Sequence, residues 1–129
     1  MGTALLIAAL ALVVLMVGMQ VLVRSRARAM VGKPVPALPG PTGAKLAESA
    51  RSLVYFFSPS CGACVRLTPR FRELAQRNPA VFVIDVMREL ELARILGVMG
   101  TPSVVELAQG KIVGYHVGSI PPEVIARFA

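Results

Sequence analysis

The sequence is poor in the residues on which many functional sites depend. It has no tryptophan, one histidine, two cysteines and seven acidic residues among its 129 residues. A structural zinc site needs four ligands, which one histidine and one cysteine pair do not supply. Val65 rather than histidine follows the second cysteine, so the haem-attachment motif is excluded. The basic residues form no stripe with interleaved aromatic side chains, which argues against nucleic-acid binding. We therefore expect no resident metal, no cofactor and no nucleic acid.

Apolar residues, by contrast, make up 55% of the chain, and many lie in one run. Residues 2–23 carry no charge and a single strongly polar side chain, Gln20. As a helix this run would extend roughly 33 Å, enough to cross the roughly 30 Å hydrocarbon core of a bilayer. We predict a transmembrane helix over residues 2–23 that anchors the protein in the cell (inner) membrane by a single pass.

Two alternatives to a retained anchor are a buried core helix and a cleaved signal peptide. The run is too long and too apolar for a typical core helix. A signal peptide usually carries basic residues before a shorter apolar run, and this chain has none there. We therefore expect the helix to be retained.

Basic residues are concentrated directly after the apolar run. Arg24, Arg26, Arg28 and Lys33 are four of the fourteen, and residues 34–129 carry ten basic and seven acidic side chains. The net charge of +7 is therefore largely a juxtamembrane feature, suited to anionic lipid headgroups. By the positive-inside rule this cluster, and the chain that follows it, stays in the cytoplasm.

Residues 24–52 are predicted to be a basic juxtamembrane segment followed by a proline-rich linker. Four prolines and two glycines fall within residues 33–43. Because proline lacks the N–H that a helix interior or a central strand requires, we expect an extended and fairly stiff chain there. Residues 44–52 are expected to form a short helix or a loop.

The rest of the chain alternates between strand-like and helix-like segments. Residues 53–57 and 81–86 are apolar runs rich in β-branched and aromatic residues, typical of strands buried on both faces. Between them, apolar residues recur at helical spacing up to Arg77, which predicts a right-handed βαβ unit. The predicted order is β-α-β-α-β-β-α, with the later elements at residues 88–96, 103–107 and 111–117 and a last helix from Pro121 to the C-terminus.

Both cysteines lie at the junction between the first strand and the first helix of this pattern. Cys61 and Cys64 are separated by Gly62 and Ala63 and follow a Ser-Pro-Ser turn. The unpaired N–H groups and the positive dipole end of a helix start favour a thiolate, the attacking species in thiol–disulfide exchange. We expect a partly exposed Cys61 to attack and a more buried Cys64 to resolve the mixed disulfide. The alternative is a static bridge or two inert thiols, although a bridge closing so short a loop adds little stability.

These features resemble the thioredoxin superfamily over most of the chain after the linker. The C-x-x-C, the Thr-Pro dipeptide 38 residues after Cys64 and the strand order are similar to that family's active site and cis-proline loop. The resemblance implies a thioredoxin-like α/β domain over residues 53–129, with a central mixed sheet flanked by helices. It implies that Cys61 and Cys64 are the catalytic dithiol of a protein-disulfide oxidoreductase.

The same resemblance assigns the substrate site and the partners. Thr101 and a cis Pro102 are expected to bind an extended substrate strand. The expected partners are protein thiols or disulfides and an upstream redox protein.

Several positions depart from the family's pattern. Ser60 stands where thioredoxins usually have tryptophan, and Ala63 replaces the usual proline between the cysteines. Tyr55 falls at the position of the buried acid of many thioredoxins, and we interpret it as a core aromatic residue. The family's first strand and helix are expected to be missing or replaced by the linker. The direction of electron flow does not follow from the resemblance.

A short domain behind an N-terminal anchor is similar to the membrane-tethered thioredoxin-like proteins of cytochrome or methylamine dehydrogenase maturation. Those proteins typically face the periplasm, opposite to the side that the charge pattern favours, so the side stays open.

Two alternatives to redox turnover also stay open. One is metal handling or cofactor-maturation assembly, with copper held by Cys61, Cys64 and Met99 or His116. The other is a redox-inactive adaptor.

Overall fold

The computed structural model describes all 129 residues as five helices and one four-stranded sheet. The elements are α1 (Gly2–Met30), α2 (Gly40–Glu48), β1 (Arg51–Phe57), α3 (Cys64–Arg77), β2 (Val81–Asp85), α4 (Leu90–Ile95), β3 (Ser103–Ala108), β4 (Lys111–Val117) and α5 (Pro122–Ala126). The predicted order after β1 is confirmed, and the boundaries differ by one to three residues, as helix and strand ends commonly do.

The sheet is mixed, with the strand order β2-β1-β3-β4. β1 pairs parallel with β2 and antiparallel with β3, and β3 pairs antiparallel with β4. β1 is therefore a central strand, and its five-residue run from Ser52 to Phe56 is buried, as the continuous apolar pattern predicts. Helices cover both faces, which confirms the α/β class.

Each face of the sheet carries its own apolar layer. The first layer packs α2, α4 and the last turns of α1 against residues such as Phe56, Val105 and Ile112. The second packs α3 and α5 against Leu53, Tyr55 and other residues. Because side chains alternate along a strand, neighbouring residues such as Tyr55 and Phe56 contribute to opposite layers.

Helix α1 is longer than the predicted span of residues 2–23 and continues to Met30. Residues 24–30 include three arginines and two alanines, which are good helix formers. Gly32, which has a φ of 89°, follows the end of the helix. Ala27 is buried and Met30 packs against the first core layer, so the end of α1 is part of the folded domain.

The linker predicted over residues 24–52 lacks helix and strand only over residues 31–39 and 49–50. The short helix that was one of two expectations for residues 44–52 is present but begins earlier, at Gly40. Residues 40–48 form α2, whose Leu46 is buried, and β1 begins at Arg51. Pro41 does not prevent this helix because it lies in the first turn, where its missing N–H has no intrahelical partner to lose. Gly43 is required there, since an added Cβ would collide with the Leu38 carbonyl. A helix thus packs on the domain directly before β1.

Candidate active site

The two cysteines lie where β1 ends and α3 begins. After Phe57 the chain turns through residues 58–60, and the Cys61 N–H donates to the Ser58 carbonyl at 3.1 Å. α3 begins at Cys64 rather than directly after Cys61, and the Cys64 N–H donates to the Cys61 carbonyl at 3.2 Å. Cys61 and Cys64 form a disulfide with their Cα atoms 5.3 Å apart, within the usual range for such bonds. The two side chains are therefore placed for reversible oxidation as a pair.

The two thiol positions differ sharply in exposure. Cys64 is 2% exposed and packs on the inner side of α3, whereas Cys61 is half-buried. The backbone N–H groups of Gly62 and Ala63, beside Cys61, donate to no backbone carbonyl. Such free donors at a helix start favour negative charge on a nearby sulfur. Cys61 is therefore the sulfur that a partner can reach, and Cys64 is sheltered behind it; the attacking and resolving roles stay predictions.

The Thr101–Pro102 dipeptide lies at the same end of the sheet. β3 begins at Ser103, which pairs with Phe56 near the end of β1. We call this end of the strands, after which the cysteines follow β1, the dithiol end. The peptide bond between Thr101 and Pro102 is cis. Pro102 is buried and its carbonyl accepts from the Gly118 N–H at 2.9 Å. The backbone N–H and carbonyl of Thr101 have no backbone partner, which leaves them free to bind another chain.

A groove of about 600 Å³ lies between the turn that precedes the dithiol and the Thr101 loop. Ser58, from the turn before the dithiol, and Thr101 both line it. Val86, Ala93 and Met99 supply much of its apolar lining. The structure thus brings the dithiol turn and the Thr-Pro loop together around one concave surface.

Tyr55, at the position of the family's buried acid, is a core aromatic residue as interpreted from the sequence. It is fully buried, its ring stacks on Phe71 with centroids 4.2 Å apart, and its hydroxyl shares a 2.9 Å hydrogen bond with Thr68 Oγ1. Burial raises the pKa of Tyr55, although the hydrogen bond to Thr68 and the charge of Arg72 act in the opposite direction. The hydroxyl therefore remains protonated at neutral pH.

One buried ionic group was not expected from the sequence. Glu106, in the middle of an otherwise apolar β3, is 4% exposed. Its carboxylate accepts from the Arg127 guanidinium at 2.8 Å and lies 3.7 Å from His116 Nε2. The only sequence signal is Gly114, opposite Glu106 on β4, where an added Cβ would overlap the carboxylate. Glu106 lies toward the end of β3 that is farther from the dithiol. It therefore belongs to the fold rather than to the dithiol site.

The side chains proposed for copper do not form a cluster. No group of three or more histidine, cysteine, aspartate and glutamate side chains with metal-binding spacing occurs in the chain. His116 faces Glu106, and Met99 contacts the guanidinium of Arg26 at 3.8 Å. No observation therefore favours metal handling over exchange at the dithiol.

Comparison with known proteins agrees with this geometry. The family model described as Thioredoxin matches residues 43–129, and the match begins within α2. Thioredoxin of Bacillus subtilis (strain 168) is 33% identical over 84 residues, which cover 61% of this chain and 81% of that protein.

Solved thioredoxin structures are similar in fold. The crystal structure of Schistosoma mansoni thioredoxin aligns with a TM-score of 0.59 and 28% identity, covering 72% of this chain and 89% of that one. A point mutant of the thioredoxin from Halobacterium salinarum NRC-1 aligns with a TM-score of 0.56 and 29% identity, covering 70% of this chain and 82% of that one. The predicted thioredoxin-like fold is confirmed. Because the family model matches more than half of its residues, the chain belongs to the thioredoxin family.

Proposed function

We propose that this protein is a membrane-anchored thiol–disulfide oxidoreductase that exchanges electrons with protein partners through Cys61 and Cys64. The observation that carries the proposal is the asymmetry of the pair: Cys61 is half-buried beside free N–H donors, and Cys64 is fully buried in the first turn of α3. This is the arrangement that a two-step exchange requires, since only one sulfur has to meet the partner.

In the reducing direction, the Cys61 thiolate attacks one sulfur of a partner disulfide, and the other partner sulfur leaves as a thiolate that takes up a proton. The Cys64 thiol then loses its proton and attacks Cys61, which releases the partner's second thiol. Two electrons pass to the partner, and Cys61 and Cys64 end as a disulfide. The oxidising direction is the same sequence reversed.

Substrate binding is assigned to the Thr101–Pro102 loop and the adjoining groove. The free N–H and carbonyl of Thr101 support pairing with an extended segment of the partner, as when a peptide adds a strand to an exposed sheet edge. The groove between Ser58 and Thr101 supports binding of a partner side chain near the turn that leads to Cys61. The disulfide of a folded partner therefore has to be presented on an extended, accessible segment.

Anchoring is assigned to α1, whose apolar stretch is long enough to cross a bilayer and is not buried in the domain. A membrane anchor stays in the mature protein, whereas a signal peptide is removed, so the two can be distinguished by whether the mature chain keeps this helix. The expected result is a mature protein that keeps residues 2–23 by intact mass and stays in the membrane pellet after carbonate extraction. A mature chain that begins after residue 23 would contradict the anchor.

The side of the membrane can be assigned by experiment. The arginines after the apolar run favour a cytoplasmic domain, and the tethered proteins that the architecture resembles favour the opposite side. C-terminal fusions to a reporter active only inside and to one active only outside distinguish the two. Only one of the two fusions should be active, and activity of both would contradict a single fixed orientation.

The exchange activity itself is tested with the full chain in detergent. Dithiothreitol supplies electrons, and the reduction of insulin disulfides is followed over time. The wild type should accelerate the reaction, whereas Cys61→Ser and wild-type protein alkylated beforehand should both stay at the rate without protein. A Cys61→Ser variant that matches the wild type would contradict the proposal.

A further inference from the structure

The path of α1 fixes which end of the domain lies closest to the membrane. Around Val23 and Arg24 the helix lies against Val117, the last residue of β4. Farther along, the Gly32 N–H donates to the Ile112 carbonyl and the Val35 N–H to the Gly110 carbonyl. The chain therefore runs antiparallel to β4, from the dithiol end of the strands to their opposite end.

We call that opposite end of the strands, where the Gln109–Gly110 turn joins β3 to β4, the hairpin end. Val117 pairs with Ser103, the first residue of β3, and so marks the dithiol end. The apolar part of α1 precedes its contact with Val117 in the chain. It therefore extends away from the domain beyond the dithiol end, not beyond the hairpin end.

The end of α1 is packed on the domain rather than joined to it by a flexible tether. Ala27 is 9% exposed within the first core layer, and Met30 lies against Gly97. Arg26 contacts Met99, two residues before Thr101. The helix continues without a break from the apolar stretch into these contacts. The orientation of the domain relative to the helix is therefore fixed by packing.

Apolar side chains surround the dithiol end as well. After α1, six large apolar residues are exposed, and four of them lie at this end of the sheet. Val65 follows Cys64, Met87 and Leu90 follow β2, and Met99 precedes Thr101. The chain thus leaves exposed apolar side chains at the dithiol end, the end beyond which the apolar helix extends.

We propose that α1 holds the dithiol end against the membrane surface, and that the partner in exchange is an integral membrane protein whose cysteines lie at the level of the lipid headgroups. The inference rests on the proposed function, since it requires both the anchor and the exchange activity. Val117 lies beside the residues at which the apolar run ends, and the headgroup zone that begins there is only roughly 5–8 Å deep. Cysteines presented by a water-soluble protein would have to enter between the domain and the lipid.

The orientation is tested with the full chain in lipid vesicles. In a Cys61→Ser/Cys64→Ser background, a fluorophore is attached through Met99→Cys at the dithiol end or through Gln109→Cys at the hairpin end. Lipids with spin-labelled headgroups should quench the first label strongly and the second weakly. Equal quenching, or stronger quenching at position 109, would overturn the orientation. Failure of the chain to float with the vesicles would overturn the anchor, and the inference with it.

The partner class is tested with two disulfide probes of the same sequence. One is carried at headgroup level by a synthetic transmembrane peptide in the same vesicles, and the other is a free peptide in solution. Ala27→Glu places a charge in the packed contact and should release the domain from α1. Ala29→Glu makes the same change on an exposed position of the same helix and is the matched control.

Wild type and Ala29→Glu should reduce the membrane probe at least about tenfold faster than Ala27→Glu, because fixed placement raises the effective concentration of the dithiol. All three should reduce the soluble probe, and Ala27→Glu should do so at least as fast as the wild type, because release from α1 opens the dithiol to solution. Equal rates of all three on the membrane probe would overturn the inference while leaving the exchange activity intact. Inactivity of the wild type on both probes would instead overturn the proposed function.

Discussion

The two ends of the central sheet differ in the groups that they present. At the dithiol end, Cys61 is half-buried, Thr101 has free backbone groups, and Met99 is exposed. Toward the hairpin end, the buried Glu106 is paired with Arg127, and the Arg51 guanidinium lies 5.0 Å from the centre of the Phe128 ring. Groups that can bind a partner are thus kept at one end, and the paired charges that stabilise the fold lie toward the other.

This difference indicates that activity and stability can be separated along the same strands. Substitutions at the dithiol end should change exchange with little effect on unfolding, and those around Glu106 should do the reverse. The predictions that follow test this division, from the largest expected effect to the smallest.

Cys64→Ser should stop turnover without unfolding the protein. Cys61 can still attack a partner disulfide, but no second thiol is present to release the mixed disulfide. Turnover with dithiothreitol should fall toward the rate without protein. When the reduced variant is instead mixed with a disulfide peptide in the absence of dithiothreitol, a covalent adduct should accumulate on Cys61, and later addition of dithiothreitol should remove it. Non-reducing electrophoresis and peptide mass mapping measure the adduct. Turnover at the wild-type rate would show that Cys64 does not resolve the exchange.

Arg127→Ala should lower stability and leave exchange unchanged. Removal of the guanidinium leaves the buried Glu106 carboxylate without its charged partner. Because the Arg127 side chain is 45% exposed, water screens part of the pair, and we expect a loss of about 2 kcal/mol rather than the full cost of breaking a buried pair. Urea unfolding of the detergent-solubilised chain measures the change. A loss of insulin reduction with unchanged stability would contradict the division between the two ends.

Gly114→Ala should be destabilising because its Cβ would occupy the space of the Glu106 carboxylate. Overpacking of this kind costs about 1.5 kcal/mol. The cost should be much smaller in a Glu106→Ala background, where the overlap is absent. A double-mutant cycle on the free energy of unfolding measures this coupling. Equal costs in the two backgrounds would show that the carboxylate does not limit this position.

Tyr55→Phe should have the smallest effect because it removes only the hydroxyl that bonds to Thr68. We expect a loss of about 1 kcal/mol in the free energy of unfolding. Thr68→Val should cost a similar amount, and the double variant should cost little more than either. Additive costs would contradict a shared hydrogen bond between the two residues.

The same tyrosine predicts a dependence of stability on alkaline pH. Because burial raises the pKa of Tyr55 above its ordinary value of 10.0, the folded state keeps a proton that the unfolded state releases above about pH 10. Stability from this group is fully present below pH 10 and is lost as the pH rises through the folded-state pKa. Tyr55→Phe should weaken the fall in stability above pH 10, and urea unfolding at several pH values measures it. An identical fall in both proteins would contradict this assignment.

Much of the fold could be predicted because local patterns and tertiary structure agree. The apolar run before the dithiol is a central strand, and the helical spacing of Cys64, Phe71 and Leu74 places them on the buried side of α3. The Thr101–Pro102 and Cys61–Cys64 pairs could be assigned to one site only through the family resemblance. Pro102 lies 38 residues after Cys64, and only the order of the strands in the sheet brings the two motifs together.

The features that were not predicted depend on packing between distant segments. A short helix was one of two expectations for residues 44–52, but the extension of α2 back to Gly40 was not, because this helix is held by Leu46 in the first core layer. The burial of Ala27 and Met30 depends on where α1 meets the domain, which no local pattern encodes. The burial of Glu106 on β3 was not predicted for the same reason, since its partner Arg127 lies directly after α5.

The central claim is that Cys61 and Cys64 act together as a two-electron pair. The most direct test mixes the reduced full chain with an excess of a disulfide peptide in a single turnover and quantifies both products over time. We predict that one Cys61–Cys64 disulfide forms for every two peptide thiols released, at the same rate. Peptide thiols that appear without this disulfide would contradict it, as would a chain that neither reduces the disulfide peptide nor, in its oxidised form, oxidises the corresponding dithiol peptide.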